Sequence, residues 1–436
     1  MYSYRYSYSN TVYCSECIDY CGVKEVDSTE MVNEIKNKVI LHWNCRGLVE
    51  FPEVIRDYGS HIQEIYLKWN KLTTLPSWIK ELFNVTNLYV YGNLIKEVPP
   101  QLCQMTQLVV LDLSDNKLER LPPCIGNLIN LKSLLLNQNF IDKLPVEMSK
   151  MHNLEILSIS WNKFVALPEW IGSLPKLKEL NADNNCLKEL PNRLTLSPQL
   201  AIISVCSNRL RYLPLNGFVS SPCIRFDANI YLNYLSYPLL YQLISQVQDT
   251  LIENHRNILG YGCFTMHCEN TTLHTNIKLT VKINALHGKD IDIIIELPRQ
   301  LLKVHNVHEN TVVPLWELAL RKVYTERYKH TLSISAPPIN ISVQYEPIPI
   351  KNSQKIDFTM YSMNYALCNL LTNGPTSICV NSQCQQPIFT EAWVLVGAIH
   401  QIESIITTAL CCCKRCASEF SKHSNMTVKY DWHCIN

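Results

Sequence analysis

The chain has 436 residues, 47% hydrophobic and 18% charged, with 39 Lys and Arg against 38 Asp and Glu for a net charge of +1. At roughly 150 residues per domain this length gives two or three domains, and the composition excludes fibrous and mini-protein classes. The balanced charge supplies no field to draw the chain to nucleic acid or to an anionic membrane, so neither partner is expected.

Residues 1–38 form a Tyr- and Cys-rich segment. Its opening, Met1-Tyr2-Ser3-Tyr4-Arg5-Tyr6-Ser7, lacks the apolar core and small-residue cleavage site of a secretory signal, and a cytoplasmic address is expected. Disulfides do not persist in a reducing compartment, so clusters among the 19 cysteines are expected to bind metal or to be buried thiols. Cys14, Cys17 and Cys21 are open to both readings.

Residues 39–235 carry an internal repeat. Asn70, Asn93, Asn116, Asn139, Asn162, Asn185 and Asn208 recur every 23 residues. Pro76, Pro99, Pro122, Pro145, Pro168, Pro191 and Pro214 keep the same interval, each after Leu or Val. Between them runs L-x-x-L-x-L-x-x-N-x-L, clearest at Leu108, Leu111, Leu113, Asn116, Leu118 and Leu121. The pattern is that of leucine-rich repeats, in which one unit cannot bury its apolar face alone and stacking on neighbours buries it. About seven 23-residue repeats are expected to form a solenoid, opened by an irregular unit over residues 41–55 and closed by another around residues 224–235. The asparagine is expected to turn the chain out of its strand and bond backbone groups there, as a ladder down the stack. The stretch after each proline is expected to return as a helical turn.

Strand alternation assigns the variable positions to the concave face. Tyr66, Tyr89, Asp112, Leu135, Ser158, Asn181 and Ser204 form one column; Lys68, Tyr91, Ser114, Asn137, Ser160, Asp183 and Cys206 form the next. A third holds Trp69, Gly92, Asp115, Gln138, Trp161, Asn184 and Ser207. Of these, Tyr66, Trp69, Tyr89, Tyr91, Asp112 and Trp161 are the expected partner-binding residues, since exposed aromatics are the usual anchors of protein interfaces. The alternative is that the aromatic patch packs on the tyrosines that precede Cys14.

Over residues 236–436 the 23-residue spacing stops and an α+β module is expected. Residues 277–283 and 291–295 alternate as antiparallel strands. Residues 314–324 start with proline and have helical apolar spacing, with Leu315, Leu318 and Ala319 expected to bury against the sheet. Residues 336–355, with four prolines, read as loop or edge. Residues 392–413 are apolar but interrupted by His400, Gln401 and Glu403, too polar for a membrane span, and read as buried strand. Cys379-x4-Cys384 followed by the cluster of Cys411, Cys412, Cys413 and Cys416 suits a structural tetrahedral zinc with no open position for water. Cys263 and Cys268, with His267 between them, are weaker candidates. No G-x-x-x-x-G-K-[ST], G-x-G-x-x-G or G-x-S-x-G occurs, and a non-enzymatic binding scaffold is expected.

Over most of its length the chain resembles the leucine-rich repeat-containing protein 28 family of animals. The resemblance is carried by Phe226-Asp227-Ala228-Asn229-Ile230-Tyr231-Leu232, by Pro314-Leu315-Trp316-Glu317-Leu318-Ala319-Leu320-Arg321 and by Cys384-Gln385-Gln386-Pro387-Ile388-Phe389. The paralogous leucine-rich repeat-containing protein 58 family is similar in the C-terminal helix and paired cysteines. In both families the last pair has three intervening residues, which maps onto Cys412 and Cys416 and implies the ligand set Cys379, Cys384, Cys412 and Cys416. Cys413 is an extra thiol that leaves the fourth ligand open between Cys412 and Cys413. The gap between Cys263 and Cys268 is wider than the family's. Resemblance to the second family implies a substrate receptor of a cullin-type ubiquitin ligase, with helix 314–324 on the ligase adaptor.

Overall fold

The computed structural model describes residues 28–247, 277–283, 291–305, 311–328, 370, 374–399, 405–423 and 430–434. The chain forms two compact units, Met1–Asn162 and Lys163–Asn436.

In the first unit, three-residue strands alternate with connecting turns. Strands β1 (Ile40–His42), β2 (Glu64–Tyr66), β3 (Asn87–Tyr89), β4 (Val110–Asp112), β5 (Ser133–Leu135) and β6 (Ile156–Ser158) pair in parallel in that order. One side chain per strand points inward with another just after it. Ile65, Leu67, Leu88, Val90, Leu111, Leu113, Leu134 and Leu136 are all fully buried. Each such residue contributes about 2 kcal/mol of apolar transfer, but only because the neighbouring repeat covers it.

The return segments are five-residue 3-10 turns: Ser77–Glu81, Pro100–Gln104, Pro123–Asn127 and Val146–Lys150. The recurring proline stands one residue outside each turn in extended backbone, and its carbonyl accepts the N–H three residues on, as from Ile79 to Pro76 at 3.1 Å. Its missing N–H costs nothing at this position. Successive turns approach closely: a Cβ on Gly126 would lie 2.2 Å from the Glu147 carbonyl oxygen, so only glycine fits there.

The opening unit is a cap. Helix α1 (Ser28–Lys36) buries Met31 and Ile35, and helix α2 (Val54–Tyr58) buries Ile55 where later repeats place a 3-10 turn. The Glu34 carboxylate accepts the indole N–H of fully buried Trp43 at 2.5 Å and pairs with Arg46 at 3.0 Å. Burial pushes Glu34 up, but the Arg46 and Trp43 bonds outweigh it and hold the carboxyl below its ordinary value.

In the second unit β7 (Glu179–Asn181), β8 (Ile202–Ser204) and β9 (Cys223–Arg225) continue the parallel pattern, with β9 in the expected closing unit. Beyond it, β10 (Leu235–Ser236) leads into helix α3 (Tyr237–Val247). Strands β11 (Lys278–Ile283) and β12 (Ile291–Glu296) form the expected antiparallel pair. The rest is β13 (Lys303–His305), helix α4 (Leu315–Tyr328), β14 (Ser377–Ile378), β15 (Pro387–Ile388), β16 (Glu391–Ile399), β17 (Ile405–Cys411), helix α5 (Lys414–His423) and β18 (Tyr430–Cys434). A mixed sheet runs β10-β17-β16-β13, with β18 also on β16. The apolar stretch 392–413 is thus two antiparallel strands; His400, Gln401 and Glu403 lie outside the described residues. So does the expected loop at 336–355.

This module closes the repeats of its own unit. Tyr212 and Leu215 share a core with Ile295, Leu297 and Trp393. Arg211 pairs with Glu296, Tyr212 donates to Glu189, and the Tyr234 hydroxyl donates to the Glu296 carbonyl at 2.9 Å. No helix among the described residues is long and apolar enough to cross a membrane.

Candidate functional site

The asparagine ladder shapes the face that the strands present. The Asn93 amide donates to the carbonyls of Leu67 (3.0 Å) and Val90 (2.9 Å), and its Oδ1 accepts the Leu72 N–H at 3.0 Å. The set recurs at Asn116, Asn139 and Asn162, and in the second unit at Asn208. Asn229 adds a rung that the 23-residue count misses, because it follows Asn208 by 21 residues; its amide reaches the Val205 and Phe226 carbonyls at 2.9 and 2.8 Å. Asn84, Asn130 and Asn153 form another ladder on the other rim of the first unit, donating to the carbonyls of Ser60, Thr106 and Ile129.

Residues just before the main ladder are bent left-handed: Trp69, Asp115, Gln138 and Trp161 have φ between 50° and 59°. Bulky side chains rarely adopt this conformation. Here two tryptophans are held in it beside fully bonded asparagines, 45% and 50% exposed. Gly92 takes the same bend at φ 69°, and a Cβ there would meet the Trp69 ring at 2.6 Å. Trp69 in turn lies edge-on to Tyr91, with ring centroids 4.7 Å apart.

The first column is a stack. The Tyr66 and Tyr89 rings are 4.4 Å apart and 12° from parallel, and His42 extends the stack onto Tyr66 at 4.6 Å. The Lys68 ammonium sits 4.8 Å from the Tyr89 centroid and 5.6 Å from that of Tyr66, a cation–π arrangement. Burial first, then the Glu64 carboxylate that accepts the Tyr66 hydroxyl at 2.8 Å, raises Tyr66, and burial raises Tyr89 as well. The tyrosines before Cys14 lie outside the described residues.

Asp112 is turned inward: it is 7% exposed and its carboxylate accepts the Ser114 N–H at 3.0 Å. Burial raises its pKa above the usual aspartate value against the opposing Ser114 bonds. The second column is also bonded to backbone. Asn137 accepts the Ser160 N–H at 2.8 Å, and in the second unit Asp183 accepts the Cys206 N–H at 2.7 Å. Side chains one repeat back thus satisfy N–H groups beyond the ends of the short strands. Of the six expected partner-binding residues, Trp69 and Trp161 are exposed, Tyr66 and Tyr89 are half-buried in the stack, Tyr91 is half-buried edge-on to Trp69, and Asp112 is buried.

The second unit gathers the C-terminal cysteines. Cys379 follows β14 and Cys384 stands in the turn to β15, whose Asn381 caps Gln383 N–H at 3.1 Å and reaches Glu419 of α5 at 2.9 Å. Cys412 lies between β17 and α5, and Cys416 is in the first turn of α5. The sulfurs of Cys379, Cys384, Cys412 and Cys416 lie within 4.8 Å of one another, with 3.4 Å from Cys384 to Cys412 and 3.7 Å from Cys412 to Cys416. Four thiolates at about 2.3 Å from a zinc ion stand about 3.8 Å apart at the edges of a tetrahedron, so the set fits such an ion. Cys413 is outside the four. Hydrogen bonding with the Cys411 and Cys412 side chains holds Cys379 well below the usual thiol value, while the same interaction with Cys379, then burial, pushes Cys411 and Cys412 up. A bound cation reverses that logic and favours every thiolate. Cys14, Cys17, Cys21, Cys263, His267 and Cys268 lie outside the described residues.

Helix α4 is seated with the opposite face from the one expected. Leu315 is 85% and Leu318 43% exposed, and Ala319 is exposed, whereas Glu317 and Arg321 are buried at 0% and 4%. Glu317 accepts the Phe389 N–H (2.9 Å), the Thr390 N–H (3.1 Å) and the Thr390 hydroxyl (2.9 Å), and pairs with Arg321 at 3.0 Å. Arg321 donates to the Cys412 carbonyl at 3.1 Å and the Glu391 carbonyl at 3.3 Å. Leu320 and Tyr324 pack on Phe389 beside this pair. A buried ion pair is tolerable when its remaining valences are filled in this way, and its i,i+4 spacing was the one available sequence signal.

Comparison with known proteins supports the repeat reading. A family model described as leucine rich repeat matches residues 129–187 and a second matches residues 107–128. The TMV resistance protein N of Nicotiana glutinosa is 32% identical over 107 residues, which are 23% of this chain and 9% of that protein's length. A leucine-rich repeat protein of Leptospira interrogans is 23% identical, covering 48% of this chain and 62% of that one, with a TM-score of 0.37. The leucine-rich repeat domain of the type III effector XopL is 22% identical, covering 52% and 83%, with a TM-score of 0.43.

Proposed function

We propose that this leucine-rich repeat protein is a non-enzymatic scaffold of the reducing cytoplasm that holds a protein partner on the concave face of its first repeats. The observation that carries the reading is the aromatic surface of the first unit: the His42–Tyr66–Tyr89 stack with Lys68 above it, flanked by the exposed Trp69 ring. Rigid aromatic rings lose little conformational freedom on contact and dominate interface energetics. The test is quantitative affinity purification of the full chain against Trp69→Ala and Tyr89→Ala. Loss of specific co-purifying proteins from variants that keep wild-type circular dichroism supports the reading; an unchanged set sinks it.

The same scaffold takes one structural zinc at Cys379, Cys384, Cys412 and Cys416. All four of these cysteines are free of disulfides, and four sulfur ligands leave no position for a reacting water. Metal analysis of protein purified under reducing conditions tests this, with one zinc per chain expected.

A second reading, substrate receptor of a cullin-type ubiquitin ligase, is favoured by the outward apolar face of α4, where Leu315, Leu318 and Val323 are exposed. In that reading α4 meets the ligase adaptor while the repeats select the substrate. Elongin and cullin subunits are expected to co-purify from cells with the proteasome inhibited and to be lost in Leu315→Asp. Their absence from the wild-type chain removes the receptor role and leaves the scaffold.

A further inference from the structure

Given the zinc site proposed above, we propose that Arg321 couples helix α4 to that site, so that metal occupancy fixes the orientation in which α4 presents its outer face. The coupling runs through one residue. Cys412 contributes its sulfur to the four, its N–H points at the Cys379 sulfur at 3.4 Å, and its carbonyl receives the Arg321 guanidinium at 3.1 Å. The Cys412 backbone is therefore held by the thiol site on one side and by α4 on the other.

Chemistry makes the two holds unequal. Neutral thiols are weak donors and weak acceptors, so without a cation the four sulfurs add only weak contacts to the segment between β17 and α5, which Arg321, the Ala417 N–H bond to the Cys413 carbonyl and core packing already hold. Four metal–thiolate bonds fix that segment, and binding free energy at such sites is folding free energy. Arg321 has little latitude in response. It is nearly fully buried, and its remaining bonds go to Glu317 and to the Glu391 carbonyl. A buried guanidinium that loses an acceptor must find another or reach water. Either course moves the helix turn that carries it, together with Leu320 and Tyr324 on Phe389. The opposite side of the same turns bears Leu315, Trp316, Leu318 and Val323, all exposed. Their direction is then set from within, by a contact nearly hidden from solvent.

Hydrogen exchange followed by mass spectrometry tests this on the full chain, with zinc alone as the probe and zinc content measured in every sample. Peptides spanning residues 315–325 are expected to exchange about tenfold faster after chelation and to recover when zinc is restored, while peptides within residues 107–128 are unchanged. Arg321→Lys keeps the charge beside Glu317 but cannot reach both carbonyls. It is expected to bind one zinc per chain while α4 exchanges fast in the loaded protein. If chelation also opens the β16–β17 hairpin, the loaded Arg321→Lys protein decides, and wild-type protection of its α4 overturns the coupling. Bound zinc with α4 exchange indifferent to its removal overturns the coupling and leaves the zinc reading intact. Failure of the wild-type chain to take up zinc overturns both.

Discussion

The Asn116 side chain lies 3.0 Å from the Val90 carbonyl of the preceding repeat, donating its amide there, and the same amide reaches the Leu113 carbonyl of its own repeat at 3.0 Å. Its Oδ1 takes the Ile95 N–H at 3.0 Å. Asn116→Ala leaves buried backbone groups in two repeats unsatisfied, each costing about 1–3 kcal/mol. A loss of about 2–4 kcal/mol is expected, read as a lowered thermal midpoint with exchange quickened in residues 90–118. An unshifted midpoint contradicts the ladder's structural role.

Gly92 and Trp69 share one small space. Gly92→Ala places a Cβ against the indole and puts a side chain at a left-handed φ. The expected cost is about 1–2 kcal/mol, with a changed near-ultraviolet circular dichroism signal because Trp69 moves against Tyr91. Wild-type aromatic dichroism in this variant argues that the ring is not where it is described.

Glu34 ties the cap to pH. Its folded value lies below the unperturbed value of about 4.3, because the Arg46 and Trp43 bonds outweigh burial. The unfolded chain therefore binds the proton more readily. The carboxylate's contribution is complete above the unfolded value and is lost as pH falls through the folded one. Glu34→Gln is expected to lower the thermal midpoint at pH 7, with the difference from wild type shrinking as pH drops below about 4. A difference that stays constant with pH contradicts the ion pair.

The seating of α4 separates two leucines. Leu320 is buried on Phe389, while Leu318 faces outward. Leu320→Ala is expected to cost about 2–4 kcal/mol, whereas Leu318→Ala stays within about 0.5 kcal/mol. Denaturant midpoints for the two variants check this, and equal effects would return the helix to the orientation expected from apolar spacing.

Among the cysteines, Cys384→Ser removes one of the four converging sulfurs and is expected to lower zinc content well below one per chain, with thermal loss confined to the second unit. Cys413→Ser lies outside the four and is expected to leave zinc content unchanged. Metal analysis of both variants separates the two thiols that the sequence left as alternatives.

The amino-acid sequence by itself determined the repeats, down to the buried leucines and the asparagines that form the regularly spaced rungs. It could do so because each unit bonds only to its neighbours, so Asn93 finds Leu67 and Val90 at offsets that the 23-residue period already contains. It also located the β11–β12 pair and α4, whose patterns are local. The tertiary structure decided what depends on partners distant in the chain. Glu317 and Arg321 look like solvent charges in a helix, and only the backbone of Phe389, Thr390, Glu391 and Cys412, some 70 to 90 residues further along, makes their burial possible. That exchange turns Leu315 and Leu318 outward. It likewise fixed the inward turn of Asp112 toward Ser114 and the convergence of Cys412, rather than Cys413, on Cys379 and Cys384. Periodicity records which side chains are apolar; where a buried charge finds its bonds is settled only when the chain has folded around it.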